Sequence, residues 1–202
     1  MSDRVSDRNA EWRSPHDVLA LLSGHDIDVS SWGTGGSKRV EDLMAEIEAG
    51  EAAIIMTEAG LVRRVDGVAI DVLVEVDGKW LQLIEDKQVF MADGTERKRN
   101  LSTSLGEKRK AGESAVSAMV RALKEELGID VSEEDFMVGE ELRQLDMSRS
   151  YQGLMTDRGL TYGVILLPPG SYRPEGYVEH QSTKYSLFSW HEVTIEPTVS
   201  TS

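Results

Sequence analysis

Two adjacent carboxylates, Glu125 and Glu126, stand near the end of a stretch that reads GEKRKAGESAVSAMVRALKEELGI from Gly106 to Ile129. The spacing predicts a helix from about Ser114 to Leu127. Val116, Met119, Val120, Leu123 and Leu127 recur at helical intervals and mark an apolar face that should pack on a sheet. Gly128 stands where a helix C-terminus favours positive φ, and Ile129 can make the accompanying apolar contact. Residues three and four apart are neighbours on a helix. Glu125 and Glu126 are therefore expected beside Ala118 and Ala122 on a second face, with Arg121 in reach of Glu125. Glu113 precedes the helix, where the N-terminal dipole favours a carboxylate. The ordinary reading of such a KEEL run is a solvated face. The chemical reading is a set of oxygen ligands of the kind that Mg²⁺, a hard cation, prefers.

The glycine-containing loop ahead of the helix favours the chemical reading. The segment resembles the Nudix box, G-x₅-E-x₇-R-E-U-x-E-E-x-G-U, where U is aliphatic. Glu113, Arg121, Leu123, Glu125, Glu126, Gly128 and Ile129 fall on it in register, and Gly106 and Gly112 stand where family members commonly carry glycine. The resemblance extends more loosely to the strands before the box and to the YSLFSWHEV segment, since many Nudix domains close with a strand, a Trp and a short acidic helix. There are two departures. Glu107 replaces the first glycine, and Ala122 replaces the glutamate after the arginine, which in the family is usually a metal ligand and in some members the general base. A small residue there, with a Glu-Lys pair in the loop such as Glu107-Lys108, resembles a subgroup with a variant site.

The resemblance implies a Mg²⁺- or Mn²⁺-dependent hydrolase that cuts the diphosphate linkage of a nucleoside diphosphate derivative or similar small molecule. It implies Glu113, Glu125 and Glu126 as metal residues, Glu113 alternatively supporting the loop. It implies that Arg121 orients a glutamate, Glu113 or Glu125. Lys108, Arg109 and Lys110 would contact substrate phosphates, and Arg97 to Arg99 could extend that patch. The base must come from outside the usual position: Glu175 or Glu179 in the stretch between Pro169 and Lys184, Glu107 in the box loop, or His180 as a weaker option. The expected catalytic set is Arg121, Glu125, Glu126 and Glu179. A ring could stack on Tyr151, Tyr162, Phe90 or Trp80. The alternative is a domain that binds a nucleotide without cutting it, with Ala122 as the reason. An isoprenoid diphosphate isomerase is disfavoured, because the best-known isomerases use a cysteine and this chain has none.

The elements that must position these residues are also legible. Ser14-Pro15 starts a first helix, with Ser as N-cap and Pro at the first position. A second helix is expected from about Val40 to Ala49, with Gly50 after its end. The intervening SSWGTGGSK lacks a Gly-Lys-Ser/Thr run and follows no strand, which argues against a phosphate loop. From Val68 the period becomes two, Asp77-Gly78 signals a hairpin, and Trp80 to Ile84 reads as the return strand. Further strands are expected at Phe136 to Leu145, Leu160 to Leu167 and Tyr185 to Trp190. The expected fold is α/β, a Nudix-type α/β/α sandwich with a mixed sheet and a helical N-terminal extension. The expected division is 1–60 as the partly disordered extension, 61–196 as the Nudix-like domain and 197–202 as a loose tail.

Composition narrows the function classes. The 202 residues carry a formal charge of −14, which disfavours non-specific binding of long nucleic acid. The absence of cysteine excludes disulfides, cysteine nucleophiles and thiolate zinc sites. No H-E-x-x-H or G-x-S-x-G is present. Residues 1–17 lack an apolar core typical of a secretory signal, and no stretch could span a bilayer. A cytoplasmic protein, with a homodimer possible, is expected.

Overall fold

The computed structural model describes residues 14–58, 60–98, 102–168 and 170–194. The expected loose tail, 197–202, and residues 1–13 of the expected partly disordered extension lie outside them. The fold is α/β, a mixed open sheet with few helices. Its elements are α1 (Pro15–Gly24), α2 (Val40–Glu48), β1 (Ala53–Thr57), β2 (Gly60–Val76), β3 (Lys79–Phe90), β4 (Glu96–Lys98), β5 (Leu105–Lys108), α3 (Ala115–Ala122), β6 (Phe136–Met147), β7 (Met155–Leu166), β8 (Tyr177–His180) and β9 (Lys184–Val193). No helix among the described residues is long and apolar enough to cross a membrane.

The chain forms two compact units. One comprises Met1–Gly67, Lys108–Ser114 and Glu141–Leu160; the other comprises Val68–Glu107, Ala115–Glu140 and Thr161–Ser202. The grouping does not follow a cut at residue 60, because β2, β6 and β7 are each long enough to contribute to both.

In the first unit, α1 begins as its sequence dictates. Ser14 caps it, accepting from the Asp17 N–H at 3.3 Å, and Pro15 occupies the first turn, where its missing N–H costs nothing. α2 ends ahead of Gly50, which adopts φ 72°. Val18, Leu22, Leu43, Ile54, Trp32 and Tyr151 build the core of this unit. β1 pairs antiparallel with the first residues of β2. The glycine loop between the helices is structural: Trp32 Nε1 donates to the Gln152 carbonyl at 2.8 Å, and Lys38 Nζ is paired with Glu46 at 2.6 Å.

The strand order of the sheet is β6-β7-β2-β3-β9-β8, with β4 on β3 and β1 and β5 on β2. β2 turns into β3 through Asp77 and Gly78, both at positive φ (52° and 76°), the twist that a two-residue hairpin needs. Val68, Ile70, Val72, Leu83 and Ile165 from the sheet pack against Met119, Leu123 and Leu127 from the box helix. Val116 and Val120 are only partly buried against this core, while Ala118 and Ala122 are fully buried in it. The alanines are thus core residues. They do not flank the carboxylates on an open second face, because the small side chains let the helix approach the sheet closely.

Candidate functional site

The box helix is not α-helical throughout. α3 stops at Ala122, and Leu123–Leu127 form one π-helical turn. The turn ends at Gly128 in the left-handed region (φ 70°), and the Ile129 N–H closes it onto the Leu123 carbonyl at 3.2 Å. Ile129 then enters the core, so the C-terminus read from the sequence is the one formed. Single π turns inside α-helices recur at functional sites. Here the turn carries Glu125, which is exposed, and Glu126, which is half-buried.

Facing this turn is a cavity of about 340 Å³. Five carboxylates line it: Glu125 and Glu126 from the helix, Glu107 from β5, Glu85 from β3 and Glu179 from β8. Lys184, the first residue of β9, lines it too. The strand register explains Glu85. The pairing of β3 with β9 slips between Glu85 and Lys87, a bulge that re-aims the side chains next to it. Glu85 and Gln88 are both buried, and Gln88 Nε2 donates to Glu85 Oε1 at 2.8 Å.

The electrostatics are one-sided. Burial, together with the carboxylates of Glu179, Glu107, Glu85 and Glu125, pushes the Glu126 carboxyl up to about 8. Arg121 Nη1 donates to Glu107 Oε1 and to Glu125 Oε2, each at 3.2 Å. Glu125 is one of the two partners expected for Arg121, the other being Glu113. Glu107 is an additional partner. Ala122 itself lies in the apolar core.

The all-oxygen donor set is of the kind that suits a hard divalent cation. Among the described residues, no group of three or more His, Asp or Glu stands arranged as a ready-made ligand cage. The fit is therefore one of chemistry and charge.

The remaining box residues belong to the first unit. Glu113 secures the loop: its carboxylate accepts from the Lys110 N–H at 2.8 Å, and its carbonyl accepts from Arg109 Nη2 at 2.9 Å. Lys108 pairs with Glu51 at 2.8 Å and Glu46 at 3.1 Å, and Arg109 pairs with Glu141 at 2.9 Å. Lys110 is exposed. None of these four lines the acidic cavity. Their basic run is visible in sequence, but their acidic partners come from distant segments that no local pattern announces. Arg97 and Lys98 are exposed on β4; Arg99 lies outside the described residues.

Of the proposed bases, Glu107 and Glu179 line the cavity and Glu175 and His180 do not. Of the proposed stacking rings, Tyr151 is fully buried in the core of the first unit, and Trp80 lines a different cavity with Tyr172 and Pro168. Phe90 and Tyr162 line neither. Glu85, Gln88 and Lys184 do not stand out from sequence. The polar run EDKQ inside the apolar strand LQLIEDKQVF is the available signal for the first two.

The second unit thus defines an α/β domain with a helix set against a carboxylate-lined cavity. No family model and no curated protein matches the chain. Among solved structures, it is similar to a MutT/nudix family protein from Enterococcus faecalis, at 13% identity and a TM-score of 0.43, over 65% of this chain and 45% of that one. The chain therefore spans less than half the length of that protein. It is also similar to the NUDIX domain of Shewanella oneidensis NrtR, solved with ADP ribose, at 12% identity and a TM-score of 0.40, over 64% of this chain and 73% of that one. A third is the T. brucei MERS1 protein in its apo form, at 13% identity and a TM-score of 0.40, over 81% and 63% of the two chains.

Proposed function

We propose that the chain is a Nudix-type diphosphohydrolase with a variant box, acting on a nucleoside diphosphate linked to another group. The observation that carries this reading is the gathering of Glu85, Glu107, Glu125, Glu126 and Glu179 around one cavity, at the box helix, with Glu126 pushed up to about 8 by burial and by its acidic neighbours. Glu125 and Glu126 would hold Mg²⁺ or Mn²⁺, and Glu113 would serve the loop. The ion would supply charge neutralisation on the phosphates and acidify a bound water.

The chain's own residues divide the remaining work. Arg121 orients Glu107 and Glu125, donating to each at 3.2 Å. Glu107 is thereby engaged with a guanidinium, while Glu179 faces the same cavity from β8. Glu179 accepts a hydrogen bond from the neutral amide of Gln181, at 2.6 Å, and is the better placed acceptor for the proton of an attacking water.

The test is turnover by the purified chain of ADP-ribose, NAD(H), dinucleoside polyphosphates, nucleoside triphosphates and sugar nucleotides, with Mg²⁺ or Mn²⁺. The expected result is metal-dependent release of two phosphorylated products. That release should fall at least about 100-fold in Glu179→Gln and vanish in Glu125→Gln/Glu126→Gln. Binding of metal and a nucleotide without turnover of any compound would replace this reading with that of a binding domain.

A further inference from the structure

Five carboxylates line the cavity at the box helix, yet the diphosphate it is proposed to hold is an anion. An anion entering that field needs a positive group of the chain to meet it, besides any ion it brings. Lys108 and Arg109 are engaged elsewhere, with Glu46, Glu51 and Glu141. Arg121 is engaged with Glu107 and Glu125. Among the described residues, the one Lys or Arg that lines the cavity is Lys184.

Strand pairing explains why Lys184 reaches it. β9 runs between β3 and β8, and Ser186 stands opposite Gln88 of β3 and Glu179 of β8. Residues directly opposite share a face of the sheet, and Gln88 and Glu179 both line the cavity. Lys184 precedes Ser186 by two residues and so lies on the same face. Across the hairpin the Gln181 N–H donates to the Lys184 carbonyl at 2.9 Å, and Gln181 lines the cavity as well. The Gln181 side chain is engaged, since its amide donates to Glu179 at 2.6 Å. Lys184 is not: among the described residues its ammonium makes no ion pair or hydrogen bond, although five acids line the same cavity. A lysine serving as an internal counter-charge would be paired, as Lys38 is with Glu46 at 2.6 Å. Lys184 is half-buried, its backbone is fixed between β3 and the hairpin, and its three donors are free.

We propose that Lys184 is the phosphate-binding residue of this site, its ammonium donating to a non-bridging oxygen of the substrate's diphosphate on the face that also carries Glu179. This inference rests on the diphosphohydrolase reading, and it moves the anion contact from the box loop, where the sequence places it, to the start of β9. Losing one charge-assisted hydrogen bond weakens binding by about 10- to 100-fold. The same loss acts the other way on a metal ion, because removing a cation from among carboxylates makes the cavity more favourable to a divalent cation. Those opposite signs separate a phosphate contact from a structural role, which would weaken both.

The experiment uses the full chain, Lys184→Ala and Lys184→Arg. Calorimetry measures binding of α,β-methylene-ADP with Mg²⁺, a diphosphate that water cannot cut, and electron paramagnetic resonance measures binding of Mn²⁺ alone. The expected result is an affinity for the diphosphate at least about 10-fold lower in Lys184→Ala, with Mn²⁺ bound as well as by the wild type or better. Lys184→Arg, which keeps the charge, should stay within about fivefold of the wild type for the diphosphate. Wild-type affinity for the diphosphate in Lys184→Ala overturns the proposal, and so does a wild type that binds Mn²⁺ but not the diphosphate. Parallel loss of the diphosphate and Mn²⁺ in Lys184→Ala overturns it as well, as does an Arg variant as weak as the Ala variant. The hydrolase reading fails separately: a wild type that binds the diphosphate through Lys184 but turns over no compound keeps this contact and loses that reading.

Discussion

Glu46 and Glu126 are glutamates in opposite company. Glu46, in the first unit, is 6% exposed and surrounded by cations. Arg63, itself buried, donates to it, Lys38 reaches it at 2.6 Å and Lys108 at 3.1 Å. Burial opposes its charge, but Lys38 and Arg63 outweigh that, and Lys108 adds to them, so the carboxyl is held down at about 2. Glu126, in the second unit, meets the same penalty from burial with four more carboxylates in place of the cations, and is pushed up to about 8. One acid carries its counter-charges within the fold and is structural. The other lines a cavity among acids of its own sign, and its environment favours the neutral carboxyl.

Breaking the first arrangement should have the largest effect. Glu46→Gln leaves Arg63 buried without its anion and should lower stability by about 3–5 kcal/mol, read as a fall in the urea midpoint. The same pairing predicts a pH dependence. A carboxyl lowered from 4.5 to about 2 contributes fully above pH 4.5 and loses its contribution as pH falls toward 2, so the wild-type chain should weaken over that range and Glu46→Gln should weaken less.

A third setting tests what happens when a carboxylate has neither cations nor water. Ala122→Glu places one at position 122, which lies within the core among Met119, Leu123 and Ile165. It should cost about 3 kcal/mol through overpacking and burial of an unpaired acid, with no gain in turnover. Higher turnover with unchanged stability would show that the position faces the cavity, against the packing described above.

Glu126→Gln should act in the opposite direction to Glu46→Gln. A carboxyl raised from 4.5 to about 8 destabilises the metal-free chain progressively as pH rises between those values, because only the unfolded form ionises freely there. The amide should therefore stabilise the metal-free chain above pH 8 by about 2 kcal/mol, since partial exposure screens some of the repulsion, and should make no difference below pH 4.5. Thermal melts in chelator at both pH values measure it. The smallest effect belongs to an ion pair in water. Lys79 and Glu192 are 2.7 Å apart with side chains 61% and 60% exposed, and Lys79→Ala should leave the melting midpoint unchanged within error.

Much of the fold is written in local pattern. The Ser14 cap, the Asp77-Gly78 turn and the Gly128 terminus follow from backbone preferences of single residues, and the structure forms all three. The register of Arg121, Glu125 and Glu126 is legible for the same reason, since helical spacing fixes which residues are neighbours. The features hidden from sequence depend on strands meeting across long separations. Glu85 and Glu179 reach one cavity because β3, β9 and β8 lie side by side, and the bulge that aims Glu85 is a property of the pairing. Lys108 misleads by its proximity in the chain: it follows Glu107 directly, yet its charge answers Glu46 and Glu51.

The π turn at Leu123–Leu127 has a consequence for how this helix can change over generations. A π turn is one residue longer than the α turn it replaces, so it behaves as an insertion held in place without a loop. Losing one residue there would restore a regular helix and shift the angular phase of its last residues by about 100° relative to its first ones. Drift by substitution can then tune the acids of this site, whereas a single-codon deletion in the turn would rotate Arg121 and Glu126 out of step with each other.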